Sequence, residues 1–430
     1  MNVSIVSGWF PVVGSIVAVV VLVAAVDWRH RRWRRQLGYG VPIAAVSTGL
    51  VALVLTLGSL VPSDFPRTTY GWIFAFVLAV CVAVVGWPTN GHLRHLLTVV
   101  AALFTLLAAL GTVNQRVDAF PSLNRLITDE PEHVVGTPEL NQIRAQVATS
   151  GKLPDQGVVF TTTIPATVSH FETREAYVYL PPAWFAKVTP RLPTLVLLPG
   201  EPGSASDWSN LGDADTTADE FAADHHGLAP IIVMPDPNGV KTVDTECVNS
   251  RFGNAETYLA VDVPAFARSR FNAQTGPGSM AIGGLSAGGT CSVMLSLLHP
   301  DVYRTFASFS GFASPQYMET TVAQTVDILF GGSQSAYDAH NPIELLRNGH
   351  WDGLAGWFEV GDQDTGPLDA AQELQPAALK AGIATCYLVV PGGHSFDVWS
   401  QALQDAFPWL SWRLGLTPEP STEPATCASP

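Results

Sequence analysis

Charge is scarce in this chain: Asp, Glu, Lys and Arg make up 14% of its 430 residues, against 47% hydrophobic residues. With a positive mean hydropathy, that ratio argues against a plain soluble enzyme and for a membrane section fused to an ordinary domain. The few charges are unevenly placed. Residues 1–113 hold seven Arg, no Lys and two Asp, a net of +5, so the remainder carries −20 of the overall −15. An acidic outer domain speaks against nucleic acid as a partner. Five cysteines are too few for a disulfide framework, and none is spaced Cys-x-x-Cys. A zinc ribbon or dithiol motif is therefore not expected, nor any metal or cofactor.

Four apolar runs lie in residues 1–113, at Gly8–Val26, Gly40–Val61, Tyr70–Trp87 and Leu96–Val113. Each is long enough to cross a ~30 Å hydrocarbon core as a helix. Trp9, Tyr70, Trp72 and Trp87 sit near the run ends, where an aromatic belt would place them. Nothing basic precedes the first run, so it is a poor signal peptide. The basic cluster Arg29, Arg31, Arg32, Arg34, Arg35 follows it and should lie in the cytoplasm. Alternation then puts Pro62–Thr69 outside, Pro88–His95 inside and everything after Val113 outside. Both termini and the large domain are expected to be extracytoplasmic. The spans carry only slight polar content (Ser47, Thr48, Thr56, Thr98, Thr105) and no buried acid or base, which favours an anchor in contact with lipid over a transporter.

Residues 114–154 read as a linker. Within it, Thr137-Pro138-Glu139 looks like an N-cap, a first-turn proline and a favourable acid. Leu140, Ile143 and Val147 then mark one face of a short amphipathic helix, stopped by Gly151 and lying on the domain or on the membrane surface. Residues 155–414 alternate strand and helix. Val158–Thr162 and Glu175–Leu180 alternate apolar and polar. Thr194–Leu198, Ile231–Met234, Ser279–Ile282, Gly356–Val360 and Thr385–Val390 are continuous apolar runs suited to buried strands. Helical stretches fall between them, at 217–224, 255–268, 290–298, 368–381 and 398–414. The pattern predicts an α/β domain with a doubly wound, mostly parallel sheet, whose reacting groups collect beyond the carboxyl ends of the strands. The tail 415–430, rich in Pro, Ser and Thr, is expected to be disordered.

The chain is organised around Ala281–Thr290. An apolar strand runs into Gly284-Leu285-Ser286-Ala287-Gly288, and a small-residue helix follows. In that context Gly-x-Ser-x-Gly means a nucleophile elbow, with Ser286 on a strained turn and the helix N-terminus facing developing negative charge. Beyond Leu198, the loop Pro199-Gly200-Glu201-Pro202-Gly203 could present a backbone N–H, from Glu201 or from Gly200. Paired with the Ala287 N–H, it would form an oxyanion hole. Beyond Val360 come Asp362 and Asp364, with Asp364 favoured because it is set further out, and beyond Val390 comes His394. A serine hydroxyl needs a neutral imidazole to take its proton, and the imidazole needs a carboxylate to orient it. Trp208, Phe312 and Trp399 are candidates for an acyl or aromatic pocket, or for ordinary core. Cys247 and Cys291 could form a disulfide bracing the site outside the cytoplasm. No pairing follows for Cys81, Cys386 or Cys427.

Several blocks together resemble the esterase D / antigen 85 branch of α/β-hydrolases: Gly284-Leu-Ser-Ala-Gly-Gly, His299-Pro300, Ser308–Pro315 and His394–Trp399. Tyr177–Pro182 and Glu256–Pro264 are similar to strand and helix blocks of that family. The nearest type is an actinobacterial membrane esterase with four spans. The resemblance implies an α/β-hydrolase fold over about 155–414, a triad of Ser286, Asp364 and His394, and main-chain donors at Glu201 and Ala287. The chain departs from the mycolyltransferase members at the residues after the serine and in using Asp, where they use Glu. The expected function is a membrane-anchored extracytoplasmic serine esterase acting on carboxylic esters, lipid or cell-envelope glycan esters among them. The alternatives are an acyltransferase with a sugar or lipid hydroxyl as acceptor, and an inactive scaffold.

Overall fold

The computed structural model describes residues 5, 9–28, 32–57, 66–87, 91–117, 134–239, 243–318, 320–420 and 427–429. The expectations for Arg29 and Arg31, for 62–65 and 88–90 within the two loops, and for 118–133 of the linker lie outside the described residues. The chain divides into two units, residues 1–129 and 130–430.

Among the described residues the first unit holds four helices: α1 Trp9–Ala25, α2 Trp33–Leu57, α3 Arg67–Gly86 and α4 His92–Val117. Three stretches, Trp33–Leu55, Arg67–Gly86 and His92–Gln115, are long and apolar enough to cross a membrane. Four spans were expected; the fourth candidate, α1, is apolar over the 17 residues described. The interior of the unit is made of small residues. Ala25, Val26, Ala79, Val82 and Ala101 form its buried cluster. At Gly40 of α2 an added Cβ would meet Leu78 Cδ1 of α3 at 2.9 Å, so the two helices approach closely there.

Ionisable residues are buried just beyond the apolar runs. Asp27 is 2% exposed and pairs with Arg94 at 3.1 Å and Arg32 at 3.6 Å, while its N–H donates to Gln36 Oε1 at 2.8 Å. Asp27 and Arg32 lie between α1 and α2, and Gln36 and Arg94 in the first turns of α2 and α4.

Among the described residues the second unit holds ten strands: β1 Val158–Thr162, β2 Ala176–Leu180, β3 Thr194–Leu198, β4 Ile231–Met234, β5 Asn249–Ser250, β6 Gly253–Asn254, β7 Met280–Leu285, β8 Thr305–Phe309, β9 Ala355–Gly361 and β10 Ala384–Val390. Eight form one sheet in the order β1-β2-β4-β3-β7-β8-β9-β10, and β5 and β6 form a separate hairpin. β2 is antiparallel to both its neighbours, and the pairings from β4 through β10 are parallel. β3, β4, β7, β8 and β9 are buried along their whole length, as a sheet covered on both faces requires. Helices Val263–Phe271, Ala287–Leu298 and Thr365–Lys380 contribute to the core on one face, and Ala214–Asp224 and Phe396–Arg413 to that on the other.

Helix α5, Thr137–Ser150, lies in this unit, where Leu140 and Val147 join its larger core and Arg144 stacks 3.8 Å over Trp184. Its N-cap is Gly136, one residue before the Thr137 expected from sequence. The tail is likewise not free at its end. Cys427 is bonded to Cys386 of β10, and Ala428 exchanges two backbone hydrogen bonds with Thr385, at 2.9 and 2.7 Å. Residues 421–426 lie outside the described residues.

Candidate active site

The site forms where β7 meets its helix. Ser286 has φ 54° and ψ −121°, a backbone conformation costly for any residue with a Cβ. Its neighbours explain how the turn closes. A Cβ at Gly284 would lie 2.3 Å from the Gly288 carbonyl, and one at Gly288 would lie 2.4 Å from the carbonyl oxygens of Leu198 and Pro199. Only glycine fits either position. The turn is held by the Ser286 N–H donating to the Phe309 carbonyl at 2.8 Å. Ser286 is left 7% exposed at the N-terminus of the Ala287–Leu298 helix.

The ends of β9 and β10 bring the other groups in. Asp362 and Gln363 donate their N–H groups to Val390 and Gly392, both at 2.8 Å, which ties the two loops together. The two carboxylates on this loop then part. Asp362 Oδ1 accepts from the Gly392 N–H at 3.0 Å and so braces the turn before the histidine. Asp364, 5% exposed, places Oδ2 2.8 Å from His394 Nδ1. His394 Nε2 lies 2.9 Å from Ser286 Oγ. An unbroken chain of hydrogen bonds runs from carboxylate through imidazole to hydroxyl.

The loop after β3 packs directly against the serine. A Cβ on Gly200 would meet Leu285 Cδ1 at 2.8 Å and Ser286 Cβ at 3.1 Å. This puts the backbone of Gly200 beside the nucleophile.

The three aromatic candidates separate. The His394 ring stands edge-on to Trp399 at 4.8 Å and is 6.2 Å from Phe312, which is 37% exposed. Trp208 does not line an opening. It has no exposed surface, packs on Phe309 and donates Nε1–H to the Leu198 carbonyl at 2.8 Å, supporting the loop from inside the core. Apolar sequence around a loop could not show on which side of the sheet this ring would fall. Cys247 and Cys291 are bonded, joining the loop after β4 to the helix behind Ser286.

Sequence reasoning passed over one set of groups. Arg174, Asp207, Asp236, Asn238, Asp244 and Glu246 gather around the loop at 200–203. Looking past the end of β4, as was done for β9 and β10, would have found Asp236 and Asn238 in the turn Met234-Pro-Asp-Pro-Asn-Gly239. Burial raises the carboxyls of Asp207, Asp236 and Asp244 above their ordinary range, and raises Glu246 most of all, with Asp244 adding to it.

Residues 170–410 match the model of the family described as "Putative esterase". An uncharacterised protein of Corynebacterium glutamicum is 33% identical over 424 residues, covering 93% of this chain and 96% of that one, so the similarity runs through both units. The structure of a ferulic acid esterase superposes with a TM-score of 0.52 at 20% identity, covering 60% of this chain and 98% of that one. An S-formylglutathione hydrolase of Agrobacterium tumefaciens gives 0.51 at 17% identity, covering 61% and 98%. At these identities the structural likeness is one of fold.

Proposed function

The chain belongs to the Putative esterase family and is a serine hydrolase, and from that premise we propose that it is a membrane-anchored, extracytoplasmic esterase. It cleaves carboxylic esters through Ser286, His394 and Asp364. The observation that carries this reading is the hydrogen-bond chain from Asp364 through His394 to Ser286, at 2.8 and 2.9 Å.

The steps follow from that geometry. Ser286 Oγ attacks the ester carbonyl while His394 Nε2 takes its proton. Asp364 fixes the tautomer, with the remaining N–H on Nδ1, and stabilises the imidazolium. The carbonyl oxygen becomes an oxyanion that accepts from the N–H groups of Glu201 and Ala287. His394 then protonates the departing alcohol, and water, activated by the same imidazole, releases the acid from the acyl-enzyme.

Two further observations support the placement outside the cytoplasm. Three helices of the first unit are long and apolar enough to span a membrane. Both disulfides lie in the second unit, as suits an oxidising compartment.

The test is acyl release from a p-nitrophenyl ester series by the detergent-purified chain, beside Ser286→Ala, with and without a sugar alcohol. Turnover that vanishes in the variant and leaves only free acid supports hydrolysis. Acyl groups appearing on the sugar alcohol replace hydrolysis by acyl transfer. No turnover, together with no fluorophosphonate labelling of Ser286, sinks the reading.

A further inference from the structure

Glu201 turns its side chain into a polar network that the triad does not use. One carboxyl oxygen, Oε2, accepts from Asn238 Nδ2. Asn238 is itself fixed: its N–H donates to Asp236 Oδ1 at 2.8 Å, and its Oδ1 accepts from the Thr245 N–H at 3.2 Å. Asp236 pairs with Arg174 at 2.5 Å, and the same guanidinium nitrogen donates to the Gly203 carbonyl at 3.1 Å. The loop is gripped on both sides of Pro202, through Glu201 and through Gly203. Close packing of Gly200 on Ser286 sets how near the loop comes to the nucleophile.

The charges in this network do not balance. Glu201 faces Asp236, Asp244 and Glu246 from the segment after β4 and Asp207 from the short helix Asp207–Asn210, with Arg174 as the cation acting on it. Burial first, then Asp244, push its carboxyl up to about 7 against the pull of Arg174.

We propose that the Glu201 carboxyl is a protonation-controlled brake on acyl transfer. Neutral, it leaves the oxyanion favoured; ionised, it sets a like charge beside the forming oxyanion and slows both acylation and deacylation. The proposal rests on the reading of the Glu201 N–H as an oxyanion donor. The side chain touches no reacting atom, so its role is to position the loop and set the local field. Its sign is opposite to that of the imidazole. His394 must be neutral to act, so the rate rises with pH; Glu201 must also be neutral, so the rate falls as its carboxyl ionises. The two together give a bell in place of a plateau.

The experiment is kcat/KM against pH from 5 to 9 for the full chain in detergent, with p-nitrophenyl acetate, which does not titrate. Wild type, Glu201→Gln and Arg174→Gln are compared. Wild type is expected to pass a maximum and fall roughly fivefold by pH 8.5, the scale of a like charge at short range in a partly solvated site. Glu201→Gln is expected to rise to a plateau. Arg174→Gln, which removes the cation favouring the ionised form, should carry the falling limb to higher pH. It also provides a second test should Glu201→Gln not fold. Parallel profiles for wild type and Glu201→Gln, or a falling limb that stays put in Arg174→Gln, overturn the brake. A crystal structure of the fluorophosphonate adduct keeps the two ideas apart. A phosphoryl oxygen accepting from the N–H groups of Glu201 and Ala287 upholds the donor reading, and with parallel profiles only the brake fails. A phosphoryl oxygen bound elsewhere overturns the donor reading itself.

Discussion

The two units are built inside out relative to each other. In the helical unit, Ile16, Leu50, Leu53, Leu103 and Leu110 are each at least half exposed, while the interior is mostly alanine and valine. In the hydrolase unit, Trp184, Trp208, Trp357, Phe306 and Phe309 are essentially fully buried. Water drives large apolar groups inward, but lipid gives no such push, so small residues that let helices approach are what hold the first unit together. Polar burial differs too. Among the described residues the helical unit encloses one carboxylate, Asp27, between two arginines. The hydrolase unit sets four further carboxyls, those of Asp207, Asp236, Asp244 and Glu246, around Glu201, with Arg174 as the cation acting on it.

If the units are this different, each should fail alone. The largest effect is expected from Ser286→Ala, which should cost roughly 10⁴-fold or more in kcat and leave both units folded. Steady-state kinetics beside a circular dichroism melt would show it; a lowered melt would mean that the turn, not only the chemistry, depended on the hydroxyl. Next comes Cys247→Ser with Cys291→Ser. Loss of that bond should destabilise the hydrolase unit by about 2–4 kcal/mol and leave helicity in the first unit intact. Calorimetry in detergent can separate the two transitions. Asp27→Ala works on the other side. It strands Arg94 without its partner and should cost the helical unit about 2 kcal/mol, softened because part of the guanidinium reaches solvent. Hydrolysis of a soluble ester should not change. Equal loss in both units would dissolve the distinction.

The smallest effect concerns pH. Glu256 holds His299 at 2.9 Å and His340 at 3.2 Å, binding the end of the nucleophile helix to its neighbours. Hydrogen bonds from the two histidines outweigh burial and lower Glu256 from 4.5 to about 2, while its carboxylate raises His340 above 6.5. A raised histidine stabilises fully below its unfolded value and loses that contribution as pH climbs through the folded value. A depressed carboxylate stabilises above its unfolded value and loses it as pH falls toward about 2. The clamp is therefore strongest between about pH 4.5 and 6.5. Melting temperature of the hydrolase unit should drop between pH 6 and 9 by the equivalent of about 1 kcal/mol or less. His340→Gln should flatten that drop.

Some of this was readable in the sequence because sterics leave no alternative. Gly284 and Gly288 are dictated by contacts under 2.5 Å, so their spacing about Ser286 carries the turn with it. Continuous apolar runs likewise marked β3, β4, β7, β9 and β10. The strand β8, Thr305–Phe309, went unseen because five residues with Thr and Ser among them show neither alternation nor a long apolar run. Asp362 and Asp364 could be ranked but not assigned roles, since both sit on one loop and only the fold decides which reaches the imidazole. The bond between Cys386 and Cys427 was not readable either: its partners are 41 residues apart, and pairing is set by distance in space. The same holds for Glu201, whose importance comes from neighbours supplied by three separate segments.

The two disulfides have a topological consequence. Cys247 and Cys291 close a covalent ring that contains Ser286, and Cys386 and Cys427 close another that contains His394. Asp364 lies on the open chain between them. A protease that nicks either ring leaves both cut ends tethered, so nucleophile and base stay threaded in place. A cut between the rings divides the chain without such a tether. Durability against proteolysis is thus distributed unequally along this polypeptide: it is greatest around the serine and the histidine and least in the stretch that supplies their carboxylate.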